Sequence, residues 1–273
     1  MSSKKDYHKR KYSVNRQILA DYNAVASKFH RVQGLIEADI TKALEIIHDI
    51  EKKEGYKISL TAWIARCISK AVSEDMRLNS YRHRRKLIVF DKIDISVMIE
   101  IKTKDGKRIP FNHVIRDVES KTVREITDEI RAIQKKKIEE REQLTRGSSK
   151  FSNLYLIIPG FIRRGVIKMM LTNPFKLRKL IGTVGLTTLG EFVKNLSGWA
   201  IPFADKTLNV AVGGMKHRTI EQGGKLVPQI HLCITYLVNH DIVDGAPIAR
   251  FIARATDLME ESFGLVNIET KDR

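Results

Sequence analysis

The sequence contains few cysteines and no long hydrophobic run, and these absences narrow the classes of protein it can be. Cys67 and Cys233 are the only cysteines, and they lie far apart, without the spacing of metal ligands. This cysteine usage favours a protein of the reducing cytoplasm. It disfavours a disulfide-rich protein and a protein with a cysteine-ligated metal. The most apolar stretch, 154–171, is interrupted by a proline and three basic residues, so we predict no membrane span. The polar N-terminus lacks the apolar core of a secretory signal.

Acidic residues are also scarce relative to basic ones. The chain has 49 Lys and Arg against 32 Asp and Glu, a net charge of +17. Such a charge attracts polyanions: nucleic acid, an anionic membrane or a phosphorylated cofactor. No zinc-finger spacing and no aromatic-plus-basic RNA motif occurs, so nucleic acid is a disfavoured binding partner. The simplest alternative to a polyanion-binding role is that the basic residues form an ordinary solvated surface. The basic residues cluster at 4–11, 82–86, 135–137 and 163–179.

Hydrophobic periodicity predicts an α+β domain with a large, partly antiparallel sheet. Gly223-Gly224 predicts a β-hairpin, and residues 104–107 predict a turn. The length of 273 residues allows one large domain or two small ones, and we find no internal repeat and no low-complexity linker. The predicted helices are 13–27, 42–53, 59–73, 120–143 and 246–260. The predicted strands are 33–40, 87–102 (one or two strands), 183–189, 208–213 and 226–238.

The most informative motif is His-x-x-x-Asp-Gly at His240, Asp244 and Gly245, between the last predicted strand and the last predicted helix. A histidine at the end of a strand can act as a general base near neutral pH. A carboxylate at the head of a helix can hold the local geometry. Two simpler interpretations stay open. His240 can be an unreactive strand-end histidine, and Asp244 can be the N-cap of a helix with Pro247 in its first turn.

With its surroundings, this motif resembles the terminal signature of a known family. Residues 239–251 resemble that signature in the catalytic domain of dihydrolipoyl acyltransferases, the core subunits of 2-oxo acid dehydrogenase complexes. These domains share the chloramphenicol acetyltransferase fold. Other family motifs follow in the family's order, and the resemblance covers residues 13–262. The additional matching stretches are 37–42, 78–80, 109–110 with 114–117, and 182–190.

The resemblance implies a chloramphenicol acetyltransferase-like α+β fold: a mixed β-sheet with flanking helices and an active site at a trimer interface. It implies that His240 is the general base and that the Thr187 hydroxyl stabilises the oxyanion, with Thr188 as the register alternative. Asp244 would be orienting through an ion pair with Arg16. Thr187 can also be an ordinary β-branched strand residue, and Arg16 is one of many basic residues.

The chain departs from the family pattern near the histidine. The family usually has Asp before it and Arg after it, whereas this chain has Asn239 and Asp241. We read residues 1–12 as a basic arm, 13–262 as the catalytic domain and 263–273 as a polar tail. No lipoyl domain is expected in this chain, so a lipoylated protein would act in trans. Because the polar residues 267–273 replace an apolar anchor, we expect a free homotrimer and not a larger cage.

Residues 150–181 form a divergent segment that is both basic and hydrophobic. It can be a lid over an acyl channel, or an amphipathic face on an anionic membrane, which would make the protein peripheral. A buried helical insertion with snorkelling Lys and Arg is the third interpretation. His113 lies in a second apparent insertion, between the 109–110 and 114–117 matches, and is expected to be structural or exposed.

The sequence therefore predicts an acyltransferase that moves an acyl group between coenzyme A and a thiol, hydroxyl or amine acceptor. The acceptor would be a dihydrolipoyl group on a separate protein or a small molecule. Acyl-CoA would be a substrate, and no bound metal is expected. The alternative is a non-catalytic trimeric scaffold, or a membrane-associated binding protein, that kept the fold.

Overall fold

A computed structural model describes residues 6–27, 29–102, 106, 108–135, 155–189 and 197–266. The strands are β1 Arg31–Asp39, β2 Ser80–His83, β3 Lys86–Val89, β4 Ile95–Lys102, β5 Arg108–Ile115, β6 Val184–Thr188, β7 Leu208–Gln222 and β8 Lys225–Asn239. The helices are α1 Val14–Ala26, α2 Thr41–Glu54, α3 Leu60–Ser73, α4 Val123–Lys135, α5 Gly160–Leu171, α6 Pro174–Ile181 and α7 Gly245–Glu260.

Six strands form a mixed sheet in the order β1-β8-β7-β6-β4-β5, and β2 and β3 form a separate hairpin. Strand β6 is parallel to both β4 and β7, and the other pairs are antiparallel. Helices α2, α3, α4 and α7 pack on one face of this sheet. The predicted α+β architecture, a mixed sheet with flanking helices, is confirmed.

The helix-covered face holds the main hydrophobic core because alternate strand residues point to it. In β6 these are Val184, Leu186 and Thr188, while Gly185 and Thr187 belong to the opposite face, which we call the open face. Helix α3 lies at the centre of the core and is buried on nearly every side.

The long β7–β8 hairpin confirms the turn predicted at Gly223-Gly224. Both glycines have positive φ, 59° and 75°, the left-handed conformation that a tight hairpin turn requires. The prediction for β7 was too short, since the strand continues to Gln222. A register shift between Val212 and Met215 interrupts the alternation there, and the residues beyond it are mostly polar and exposed.

Strands β2 and β5 were not predicted. The basic cluster 82–86 contains the β2–β3 turn, where Arg84 has a φ of 55°. The apparent insertion around His113 is β5, an edge strand. The His113 ring donates a 2.7 Å hydrogen bond to the carboxylate of Glu129 on α4, which confirms its structural role. Several predicted features fall partly outside the described residues: the arm 1–12, the 120–143 helix, the 135–137 basic cluster, the 104–107 turn, the 150–181 segment and the tail 263–273.

The divergent segment contains α5 and α6, with residues 150–154 outside the described part. Most large apolar side chains of α5 are exposed: Phe161 is 73% exposed and Met169 is 64% exposed. Leu171 and Leu177 are buried in a second, smaller cluster with Ala26, Tyr81 and Phe90. The buried-insertion alternative therefore does not describe this segment, which is a partly exposed apolar layer.

Asp94 links this second layer to the sheet. Its buried carboxylate accepts hydrogen bonds from Arg116 at 2.9 Å and from Arg178 on α6 at 2.9 Å. The backbone N–H of Asp117 donates to its other oxygen at 3.0 Å. A buried carboxylate with two cations stabilises only while all partners are present, because each remaining charge is costly to leave unpaired.

We expect Asp94→Asn to lower the free energy of unfolding by about 2 to 4 kcal/mol, since it removes the charge that both arginines share. Urea unfolding measures this value. Asp91→Asn is the matched control, because Asp91 is exposed and close in sequence, and it should change stability by about 0.5 kcal/mol or less. Equal effects of the two substitutions would contradict the role of Asp94.

Candidate functional site

His240 lies on an exposed turn directly after β8. Its backbone N–H donates to the carbonyl of His30 at 2.8 Å, and the preceding N–H of Asn239 donates to Thr207 at 2.9 Å. The position of the histidine is therefore fixed from both sides by the residues directly before β1 and β7, the strands that flank β8. No hydrogen bond or ion pair joins its ring to another residue in the described ranges. The imidazole is accessible to an external reactant.

Asn239 shapes this turn. Its side-chain oxygen accepts a hydrogen bond from the N–H of Asp241 at 3.1 Å, an Asx-type turn. Its carbonyl accepts from Ile242 and Val243 at 3.1 and 3.2 Å. Asp241 in turn lies 2.9 Å from the ring of His30. The two departures from the family pattern thus have structural roles beside the histidine.

Asp244 and Gly245 begin α7. Asp244 has the extended backbone of an N-cap residue, and its carbonyl accepts from Ile248 at 3.2 Å, but its side chain makes no capping hydrogen bond. The charge of Asp244 acts on Arg77. Hydrogen bonding and charge from Asp75 raise the pKa of Arg77, and Asp244 adds a smaller contribution in the same direction. The Asp244 carboxylate is thus exposed and makes no capping hydrogen bond to the helix.

Arg16 does not lie against Asp244 within one chain of the described structure. It is exposed on α1, where its backbone N–H donates to Ser13 at 3.3 Å, and its guanidinium has no ion pair with a described residue. The orienting role of Arg16 toward Asp244 stays a prediction, because the contact between them does not occur within this single chain.

Thr187 and Thr188 lie on opposite faces of the sheet. The Thr188 hydroxyl points into the helix-covered core, where it accepts from Thr61 on α3 at 3.4 Å. Thr187 is half-buried on the open face, next to Ala211 of β7. Of the two predicted hydroxyls, Thr187 is therefore the accessible one.

Strand register separates His240 from Thr187. Thr187 pairs with Ala211, and Ala211 pairs with Thr235, five residues before His240 on β8. Five residues along a strand and two strand spacings across it correspond to roughly 19 Å. The two groups of one chain cannot act on the same atom.

A polar pocket lies beside the histidine turn, and sequence reasoning missed it. Its walls include Asn239, Asp241, Asp205 and Lys206. Lys206 is buried and donates to Asp205 at 2.7 Å, and Tyr22 donates to the other carboxylate oxygen at 2.7 Å. These residues come from α1, from the loop before β7 and from the end of β8. Only the strand order brings them together, and no local motif marks them.

The charges of this cluster shift two pKa values. Burial raises the pKa of Asp205, but the ammonium group of Lys206 and the hydrogen bonds from Lys206 and Tyr22 outweigh it, so the pKa lies below its ordinary value. Burial, followed by the charge of Asp205, raises the pKa of Tyr22 far above its ordinary value. Tyr22 is thus a neutral donor and Asp205 a charged acceptor near neutral pH.

Asp205→Asn should lower stability by about 2 to 3 kcal/mol near neutral pH, because Lys206 would stay buried without its counter-charge. The folded-state pKa of Asp205 lies below the ordinary value of 3.8. Its ionised form therefore stabilises the fold above about pH 4, and this contribution is lost as the pH falls further. Chemical denaturation across this pH range should show the difference from wild type shrinking below about pH 4. The exposed Asp257→Asn serves as the control, and a difference that grows in acid would contradict the assignment.

No described helix is both long and apolar enough to cross a membrane. No group of three or more His, Cys, Asp or Glu among the described residues could hold a metal ion.

Comparison with known proteins identifies similar chains. Residues 6–154, more than half of the chain, match the family model described as 2-oxoacid dehydrogenases acyltransferase (catalytic domain). A relative in Bacillus subtilis strain 168 is the lipoamide acyltransferase component of the branched-chain alpha-keto acid dehydrogenase complex. It is 20% identical over 253 residues, 90% of this chain and 50% of that protein.

A second relative is the dihydrolipoyllysine-residue acetyltransferase component of the pyruvate dehydrogenase complex of Rickettsia bellii RML369-C. It is 24% identical over 225 residues, 80% of this chain and 44% of that protein. The chain thus spans about half the length of these relatives.

Among solved structures, dihydrolipoamide acetyltransferase of Azotobacter vinelandii has a TM-score of 0.68 at 16% identity, and the match covers 96% of this chain and 94% of that one. That structure was determined to investigate a serine, a histidine and an asparagine in the catalytic mechanism, with the last two four residues apart. At this identity, the match shows a shared fold.

Proposed function

Because the chain belongs to the catalytic-domain family of 2-oxoacid dehydrogenase acyltransferases, we propose that it transfers acyl groups between coenzyme A and a nucleophilic acceptor. The observation that supports this most strongly is the exposed His240, held by backbone hydrogen bonds at the end of β8 with its ring free of described partners. An accessible imidazole on a fixed turn is suited to general-base catalysis.

In the proposed reaction, His240 takes the proton from the acceptor thiol, hydroxyl or amine as its sulfur, oxygen or nitrogen attacks the thioester carbonyl. The carbonyl becomes a tetrahedral oxyanion, and the hydroxyl of Thr187 donates a hydrogen bond to it. Collapse breaks the carbon–sulfur bond, and the imidazolium of His240 returns the proton to the departing CoA thiolate. The reverse transfer uses the same groups, and no covalent enzyme intermediate is needed.

The roughly 19 Å between His240 and Thr187 supports an active site shared between two copies of the chain. His240 lies at the sheet's end and Thr187 on its open face, so a neighbouring copy can bring its histidine to this hydroxyl. A cyclic homotrimer would give three such sites. We propose the free trimer as the active assembly.

The spacing of Asp244 supports an orienting role. It follows His240 by four residues, the same interval that separates the histidine and asparagine of the Azotobacter enzyme. An ionised carboxylate can only accept hydrogen bonds, whereas an amide can also donate. Asp244 therefore suits a partner that donates, such as a guanidinium. Arg77 is the described candidate in the same chain, and Arg16 remains the candidate implied by family resemblance.

The proposed substrates follow from the family and from charge. Acyl-CoA would supply the acyl group, and the excess of basic residues would attract its phosphates. The acceptor would be a dihydrolipoyl group on a separate protein or a small molecule. The relatives' names place them in 2-oxo acid dehydrogenase complexes, which favours the lipoyl acceptor.

A non-catalytic scaffold is the second candidate. It is favoured by the pairing of Asp241 with His30 at 2.9 Å, which places a carboxylate where the family usually has arginine. Thermal stabilisation by CoA separates the two functions, since a scaffold that has lost the site would show none.

We expect acceptor-dependent CoA release from at least one acyl-CoA in a panel of acyl chain lengths and acceptors. His240→Ala should lower kcat by about 10² to 10⁴, since it removes the base. Thr187→Ala should lower it by about 10² to 10³, since it removes the oxyanion donor, and Thr187→Ser should retain most of the activity.

His217→Ala and Thr219→Ala are the matched controls, because both residues are exposed on the β7–β8 hairpin. They should keep wild-type rates. Unchanged activity in His240→Ala would refute the proposed base. Absence of turnover and of CoA binding in the wild type would favour the scaffold.

Mixing the two inactive variants tests the shared site. If each site takes His240 from one copy and Thr187 from another, random co-assembly of equal amounts should restore about a quarter of wild-type activity. Each variant alone, taken through the same unfolding and refolding, is the control. No recovery in verified mixed assemblies would contradict the shared site. Light scattering should give the mass of three subunits, and a much larger assembly would contradict the free trimer.

A further inference from the structure

The second apolar layer encloses a cavity that the proposed transfer chemistry does not use. It has a volume of about 330 Å³ and lies between α1, α5 and α6. Ile18 of α1, Val166 and Met170 of α5 and Leu180 of α6 are among its walls. The volume is at the lower end of the range typical of small-ligand sites, about 300 to 1,000 Å³.

The polar groups at this cavity are already paired. Arg163 donates to the buried carboxylate of Asp21 at 2.9 Å, and the Tyr155 hydroxyl donates to the same oxygen at 2.9 Å. Burial raises the pKa of Asp21, but these hydrogen bonds, one from Gln17 and the charge of Arg163 lower it overall, so the pair is ionised. The pair holds α5 against α1. Because these polar groups bond to one another, the rest of the cavity lining is apolar and favours a hydrocarbon.

The apolar cavity adjoins the polar pocket beside the histidine turn. Leu171 and Leu177 line both spaces. Within the polar pocket both carboxylates are paired: Asp205 with Lys206 and Tyr22, and Asp241 with His30.

Two cations of the same pocket have no counter-charge among the described residues. Arg82 and Arg84 line it, and neither forms an ion pair with a described residue. A positive charge without an ion-pair partner, in a pocket next to an apolar cavity, attracts an anionic group.

We propose that the cavity binds the hydrocarbon chain of a single-chain amphiphile, a fatty acid or fatty acyl compound, whose anionic head group lies at Arg82 and Arg84. The adjoining apolar and cationic spaces match these two parts of the ligand. The proposal goes beyond the transfer reaction and is tested by equilibrium binding, so it stands or fails independently of catalysis.

The test is calorimetric titration of the whole protein with saturated fatty acids of about eight to about fourteen carbons. Affinity should rise about threefold to fourfold for each added methylene until the cavity is filled. Met170→Trp should weaken binding about tenfold or more by filling the cavity. Met169→Trp is the matched control, because Met169 is exposed on the same helix and does not line the cavity.

A second pair of variants tests the head group. Arg82→Ala should weaken fatty acid binding about fivefold or more and should leave binding of the uncharged alcohol of the same length nearly unchanged. Arg85→Ala is the control, since Arg85 is exposed in the same hairpin but does not line the pocket. Leu180→Trp replaces Met170→Trp if the latter does not fold, as judged by circular dichroism.

Three outcomes would overturn the proposal. The first is fatty acid affinity that does not depend on chain length. The second is binding only to vesicles of anionic phospholipid, unchanged in Met170→Trp, which would show adsorption to a membrane surface. The third is a change in assembly mass in Met170→Trp without fatty acid binding, which would assign the cavity to a contact between copies.

Discussion

The register of β6, β7 and β8 is the constraint on which the candidate site depends. Side chains alternate between the two faces of a strand, and pairing fixes how far along the sheet each residue lies. This puts Thr187 on the open face and Thr188 in the helix-covered core, and it holds His240 beyond the end of β8. The separation of His240 from Thr187 is a property of the sheet itself. The proposed sharing of the site between copies follows from it.

Backbone hydrogen bonds make the histidine turn a fixed feature of the fold. Asn239 caps the turn from its side chain and its carbonyl, and His30 supports it from the start of β1. These contacts hold His240 without using its ring. The presence of Asn239 and Asp241 next to the histidine therefore alters the local charge, while the position of His240 stays defined.

Two apolar regions with different roles lie in one molecule. The core between the sheet and helices α2, α3, α4 and α7 is closed and stabilises the fold. The layer of α1, α5 and α6 buries few side chains fully and leaves a cavity and exposed apolar surface. Asp94 joins the two through arginines from β5's end and from α6. The first region therefore contributes most of the buried apolar surface, and the proposed binding of an amphiphile depends on the cavity in the second.

The sequence by itself determined the α+β class, most long elements, the Gly223-Gly224 hairpin and the position of His240 at a strand end. Each rests on local periodicity, turn chemistry or a contiguous motif. Only the tertiary structure decided the rest: the face on which Thr187 lies, the partnership of His30 with Asp241, and the cluster of Tyr22, Asp205 and Lys206. These residues are distant in the chain, and strand order and register alone bring them into contact.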